Sequence, residues 1–315
     1  MDAFLQFDFK EKEIIFANPV EIITASEIDD VPKAFLKVEH ALQNGNYVAG
    51  FVSYEAAPPA FDNSYMVNEK PSLPLIWFGV FPQETDRKRK SEAQPYSISK
   101  WNNTISNEKY NQIITQIKSL IRQGNTYQVN FTTRLKAQFT GDSYSFYQQL
   151  LRNQSDSYSA YLDIKDYQIL SVSPPELFFK VNNGKIKTKP MKGTIKRGKT
   201  LQEDLELKEQ LKNSKKDQAE NVMIVDLLRN DLGRIAKPGT IKVEALFDIE
   251  TYPTVHQMTS TITAQLEKNN VYDWFKALFP CGSITGGAPK VETMKYIAEL
   301  EDTPRDVYCG GGLVL

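Results

Sequence analysis

Antiparallel strands in an α+β chain are what these 315 residues predict, on three observations. Segments of strand length, rich in aromatic and β-branched residues, follow one another from residue 127 to 191. The Asn-Asn-Gly at 182–184 reads as a hairpin turn, which joins antiparallel neighbours. Strand and helix patterns do not alternate regularly, so a doubly wound parallel sheet fits poorly.

From the N-terminus, an apolar pattern ends at PLIWFGVF (74–81), and charge and serine take over in ETDRKRKSEAQPYSISK (84–100). That stretch is expected to link an N-terminal part, residues 1–100, to a larger region, residues 101–315. Tyr110, Ile113, Ile114, Ile117, Leu120 and Ile121 form one helical face, with Gly124 where a C-terminal cap belongs. Strands are expected at YQVNFTTRL (127–135), YSAYLDI (158–164), YQILSVS (167–173), ELFFKV (176–181) and KIKTKPM (185–191). Thr200 and Glu203 make a capping-box signature for a second helix, and a third covers about 215–233. Strands near 240–248 and 255–266 lead to a short helix around 271–279, and a last helix starts after GSITGGAPK (282–290) with Pro289 near its first turn.

A net charge of −1 gives no global field for nucleic acid or an anionic membrane surface. No run of 18 apolar residues and no signal-peptide pattern occurs, so a cytoplasmic protein is expected. Cys281 and Cys309 lack the spacing of a zinc or redox pair and read as buried thiols. With His40 and His256 alone, a histidine-rich metal site is excluded and a Ser-His-Asp triad is disfavoured.

Three constellations remain. In an extended path Lys185, Lys187 and Lys189 share one face, while Ile186, Thr188 and, past Pro190, Lys192 share the other. A strand-end lysine is ordinarily a solvated charge; as a nucleophile it must shed a proton, which costs roughly 4.6 kcal/mol at neutral pH from a pKa of about 10.4. Lys189, Lys196 and Arg197 are cations near enough to lower that cost. Across the hairpin, Glu176 is expected opposite about residue 191, which pairs an acid with an amine: either a general acid beside a nucleophile or a sheet-edge ion pair. Asp217 and Glu220, i and i+3 on a helix, point the same way and suit a hard cation such as magnesium, or are simply a solvated face. GSITGGAPK joins a glycine-rich loop to a helix N-terminus fit for a carboxylate or phosphate, but Ala288-Pro289 stands where a P-loop needs Lys and Ser/Thr.

In their order, YQVNFTTRL, SPPELFF, TKPMKGT, AENVMIVDLLRNDLGR, HQMTSTI and GSITGGAPK resemble the chorismate-utilising enzymes over about residues 105–309. FVSYEAAPPAFD and PLIWFGVF are similar to the aminodeoxychorismate synthase branch of that family. The resemblance implies antiparallel sheets packed as a sandwich with helices outside, residues 101–315 being the chorismate-binding catalytic region. It also implies amination of chorismate at C4, with Lys192 as nucleophile and Glu176 as general acid. Lysine in PMKGT matches the C4-aminating members, where anthranilate-forming members carry alanine. Gln128 stands where the water-adding members have a lysine base. Gln128, Gly193, Thr194, His256, Thr285, Gly286 and Gly287 would contact substrate, and Glu220 with Asp217 would hold Mg2+. Ammonia would come from a separate glutamine amidotransferase subunit.

Past YCG the family continues into further strands, whereas here GGLVL follows, so a C-terminally truncated member is expected. The loop GSITGGAPK has one glycine more than the family's usual GSITGAPK. Anthranilate synthesis, or a noncatalytic remnant, are the alternative readings.

Overall fold

A computed structural model describes residues 2–9, 12–57, 66–67, 71–86, 89, 92–153, 158–172, 176–268, 270–282 and 288–315. In chain order the elements are β1 (Ala3–Phe9), β2 (Lys12–Ala17), β3 (Glu21–Ala25), α1 (Val31–Gln43), β4 (Tyr47–Val52), β5 (Ile76–Phe81), β6 (Tyr96–Ile98), β7 (Asn102–Asn103), α2 (Asn107–Arg122), β8 (Leu135–Lys136), β9 (Phe139–Gly141), α3 (Ser143–Arg152), β10 (Ser159–Ile164), β11 (Tyr167–Val172), β12 (Leu177–Asn182), β13 (Lys185–Lys189), β14 (Met191–Lys196), α4 (Leu201–Lys212), α5 (Lys215–Gly233), β15 (Lys242–Thr251), β16 (Val255–Gln265), α6 (Val271–Leu278), α7 (Lys290–Leu300) and β17 (Gly311–Val314). Side chains of Ser106, Asp142, Thr200, Ser214 and Asn270 each accept a first-turn backbone N–H and start α2, α3, α4, α5 and α6.

Three antiparallel sheets carry the fold: β11-β10-β1-β2, β17-β4-β5-β3, and one in which β16 is central. The central strands of the second sheet, β4 and β5, are buried on both faces, which explains their unbroken apolar runs. One face, with Ala49, Phe51, Trp77 and Phe81, packs on Leu5, Phe7, Phe16 and Leu162 of the first sheet. The other, with Val48, Val52, Ile76, Phe78 and Val80, joins α1, α5, α6 and the β16 sheet in one core. The expected α+β architecture, antiparallel sheets packed together with helices, is therefore present. Strands on either side of residue 100 share sheets: β1 pairs with β10, and β4 with β17.

Two expectations need correction. The segment 127–135 is not a strand up to Leu135, because its backbone groups bond elsewhere: Tyr127 N–H donates to Ala288 O at 3.1 Å, Thr132 N–H to Glu301 Oε1 at 3.0 Å, and Asn130 O accepts from Arg305 Nη2 at 2.6 Å. The stretch 84–100 is not linker throughout, since β6 pairs with β9.

Glu55, only 2 % exposed, ties the N-terminal sheet to the turn before β17. It accepts the backbone N–H groups of Arg305 at 2.6 Å and Asp306 at 2.9 Å. Burial pushes its carboxyl from the ordinary 4.5 up to about 7. Between those values the native chain keeps a proton that the unfolded chain has lost, so stability falls as pH rises through that window, by about 3 kcal/mol. Glu55→Gln is expected to flatten this part of the curve in urea titrations; an unchanged slope from pH 4.5 to 7 would refute it.

Candidate functional site

β13 and β14 run as one path along the edge of β16 opposite β15: Thr188 pairs with Ile262, Met191 with Thr259 and Thr194 with Gln257. Pro190 lacks a donor, yet its carbonyl keeps the ladder by accepting Ser260 N–H at 3.1 Å. A register shift follows between Met191 and Thr194, with Gly193 at φ 97°. Ser260 Oγ donates to Asn221 Oδ1 at 2.5 Å, so α5 covers the face that carries Ser260. Met191 shares the opposite face with Thr259, and the half-buried Lys192 falls within the register shift itself.

A helix carboxylate lies beside the next residue, Gly193. A methyl group on Gly193 would lie 3.0 Å from Asp217 Cβ and 3.3 Å from its Oδ1, so the first turn of α5 rests directly on the strand beside Lys192. Asp217 and Glu220 are both half-buried on this helix, and Glu220 has a loose 3.8 Å pairing with Lys216. Two such carboxylates fit a hydrated Mg2+, which needs one or two and completes its shell with water and anionic substrate. No group of three His, Cys, Asp or Glu side chains suited to a metal occurs among the described residues. Gly193→Ala is expected to lose about 1–3 kcal/mol of stability in a denaturant titration, from its positive φ and this contact; a loss under 0.5 kcal/mol would contradict the close packing.

The register of β12 places Glu176 differently from expectation. A one-residue bulge between Leu177 and Lys180 pairs Leu177 with Lys189, which sets the next residue, Glu176, level with Pro190 rather than residue 191. Glu176 thereby stands level with the residue two positions before Lys192, about 6.6 Å along a strand. The three cations expected near Lys192 each have an acid partner that offsets their charge. Lys189, expected to be solvated, pairs with Glu250 and is 18 % exposed; Arg197 pairs with Asp204 and Lys196 loosely with Glu203.

His256 is 1 % exposed with both ring nitrogens engaged, Nδ1 by Thr251 Oγ1 and Nε2 by Asp204 Oδ1, each at 3.0 Å. Thr194 Oγ1 donates to Gln257 Oε1 at 2.8 Å. Gln128 is half-buried, its Oε1 without a hydrogen-bond partner among the described residues, next to Tyr127, which reaches the loop before α7. Thr285, Gly286 and Gly287 lie outside the described residues. A groove of about 680 Å³ between α4 and β15, with Leu205, Glu209, Phe247 and Ile249 in its walls, includes none of the predicted residues.

Sequence reasoning missed several buried polar groups around these elements. Lys290 and Asp231 form a 2.7 Å pair between the start of α7 and the end of α5, both under 8 % exposed. Burial pushes the Asp231 carboxyl up. Both residues stood in the quoted motifs, but nothing in their spacing, 59 residues apart, announced a contact. Asp204 had a fainter signal as an acid in the first turn after the Thr200 cap. Arg197 guanidinium, seconded by Gly198 N–H, holds its carboxyl well below the usual range.

The chain matches the family described as chorismate binding enzyme over residues 2–315. It is 44 % identical over 225 residues to aminodeoxychorismate synthase component 1 of Salmonella typhimurium, covering 71 % of this chain and 49 % of the relative. Anthranilate synthase component 1 of Aquifex aeolicus is 36 % identical over 220 residues, 70 % of this chain and 44 % of that one. The chain thus spans about half the length of the curated relatives it matches. The crystal structure of anthranilate synthase component I from Streptococcus pneumoniae superposes with a TM-score of 0.79 at 23 % identity, over 99 % of this chain and 80 % of that one. By sequence and by fold, the chain belongs to the chorismate binding enzyme family.

Proposed function

We propose that this chain carries the activity named in its aminodeoxychorismate synthase relatives, forming 4-amino-4-deoxychorismate from chorismate and ammonia toward p-aminobenzoate and folate. The carrying observation is Lys192: a half-buried amine beside Gly193, against which Asp217 of α5 packs. The higher identity to a synthase of this name than to an anthranilate synthase supports the same reading, as does lysine in PMKGT.

In this reading Nζ of Lys192 attacks C2 of chorismate as the neutral amine. Both conjugated ring double bonds shift, and the C4 hydroxyl leaves as water with a proton from Glu176. Ammonia then bonds to C4 and returns a proton to Glu176, the double bonds move back, and the C2–N bond breaks to release Lys192 as the neutral amine. Glu220 and Asp217 would hold a Mg2+, whose chemistry is Lewis-acid pull on the departing hydroxyl. Gln128, Gly193, Thr194 and the 285–287 loop would orient the substrate, with His256 behind them. Ammonia would be delivered by a glutamine amidotransferase subunit, consistent with "component 1" in the relatives' names. None of the described helices is long and apolar enough to cross a membrane, and a cytoplasmic location is part of the proposal.

Purified protein given chorismate, Mg2+ and ammonium, with aminodeoxychorismate lyase added, is expected to yield p-aminobenzoate. Anthranilate as product, or no turnover by folded protein, would overturn the reading.

A further inference from the structure

We propose that Asp204 is a positioning residue: it holds His256 as a fixed Nε2–H donor and so anchors the end of β14, and with it Lys192, beside the first turn of α5. Its assignment to amination rests on the function proposed above.

One carboxylate gathers four donors. Oδ1 accepts Arg197 Nε at 2.7 Å, Gly198 N–H at 2.8 Å and His256 Nε2 at 3.0 Å, and Oδ2 accepts Arg197 Nη2 at 2.7 Å. Arg197 also donates from Nη1 to Tyr252 O at 2.8 Å, which ties the loop between β15 and β16 into the same cluster. These donors come from the residues that directly follow β14 and from β16, where His256 pairs with Ile195 and Gln257 with Thr194. α4 therefore grips the strand three to six residues beyond Lys192. Glycine at 198 is part of the fit, since a Cβ there would lie 2.2 Å from Asp204 N.

The chemistry of the carboxylate sets the ring. Paired with a guanidinium, Asp204 stays ionised and can only accept, so Nε2 of His256 must carry the hydrogen it shares with Oδ1. The neutral ring is then the Nε2–H tautomer, and its Nδ1 accepts the Thr251 hydroxyl. With both nitrogens committed and 1 % exposure, His256 acts through the backbone it braces rather than by touching substrate. Asp204 in turn acts through His256 and Arg197.

Only two histidines occur, so nitrogen-15 spectra of His256 are assigned by comparison with His40→Gln. The neutral ring of the wild-type chain is expected to show a protonated Nε2 and a bare Nδ1; a neutral Nδ1–H ring would overturn the proposal whether or not any variant folds. In Asp204→Asn the fixed tautomer is expected to be lost and the Lys192 Cε signals to move, whereas Thr251→Val should leave both near their wild-type state. A folded Asp204→Asn with Lys192 signals unmoved would sink the positioning role. Where the wild type turns chorismate over, the Asn variant is expected to lose at least tenfold in kcat. A wild type without turnover would count against the proposed function alone, and the spectra would still decide on Asp204.

Discussion

Lys192→Ala is expected to lower turnover of chorismate by at least about 10³-fold, the scale on which loss of a covalent nucleophile registers. Stability should change by only about 1 kcal/mol, because the side chain is half-buried rather than part of the core. The informative companion is Lys192→Arg. It keeps a positive charge for an anionic substrate, but a guanidinium stays protonated and does not attack carbon. If Lys192 forms the C2–N bond, the arginine variant is as inactive as the alanine one in the lyase-coupled assay. Retention of a tenth or more of the activity by Lys192→Arg would reduce residue 192 to an electrostatic contact. Glu176→Gln should lose about 10²–10⁴-fold, the usual range for a general acid.

What the sequence made legible follows how local the determining physics is. The hairpin at Asn183-Gly184 forms with both residues at positive φ, 50° and 72°, because Asn and Gly tolerate that region. Helix α5 starts at the serine that caps it, and the strand path continues past Pro190 because the proline carbonyl still accepts Ser260 N–H. The residues missed are those whose meaning depends on a partner far along the chain. Lys189 reads as solvated until Glu250 arrives from β15, and YQVNFTTRL reads as strand until Glu301 and Arg305 take its backbone groups. Even the Glu176 error is one residue, the size of a bulge that no short-range pattern announced. The family resemblance reached the fold because motif order carries such long-range information when spacing does not.

Arg305→Met is expected to cost about 3–5 kcal/mol, since removing one partner of a buried pair strands the other charge. Arg305 is 3 % exposed and forks onto Glu301, 7 % exposed, through Nε at 3.0 Å and Nη2 at 2.6 Å. It also donates to Asn130 O, meets Cys309 Sγ at 3.2 Å and lies 5.0 Å from the centre of the Tyr54 ring. Three stretches of the chain, at Tyr54, Asn130 and Glu301–Cys309, thus converge on one guanidinium, and burial there pushes the Cys309 thiol up to about 12, leaving it unreactive. Because Glu301 also holds Thr132 N–H and Oγ1, losing Arg305 should loosen the 127–135 segment, and with it Gln128, before the rest of the fold. Thermal denaturation should show a midpoint lower by roughly 10 °C. Replacing both partners, as Arg305→Met with Glu301→Leu, is expected to lose less than Arg305→Met alone, because no charge is then left buried without its counterion. A double variant less stable than the single one would show that Glu301 stabilises the protein through Thr132 more than through Arg305.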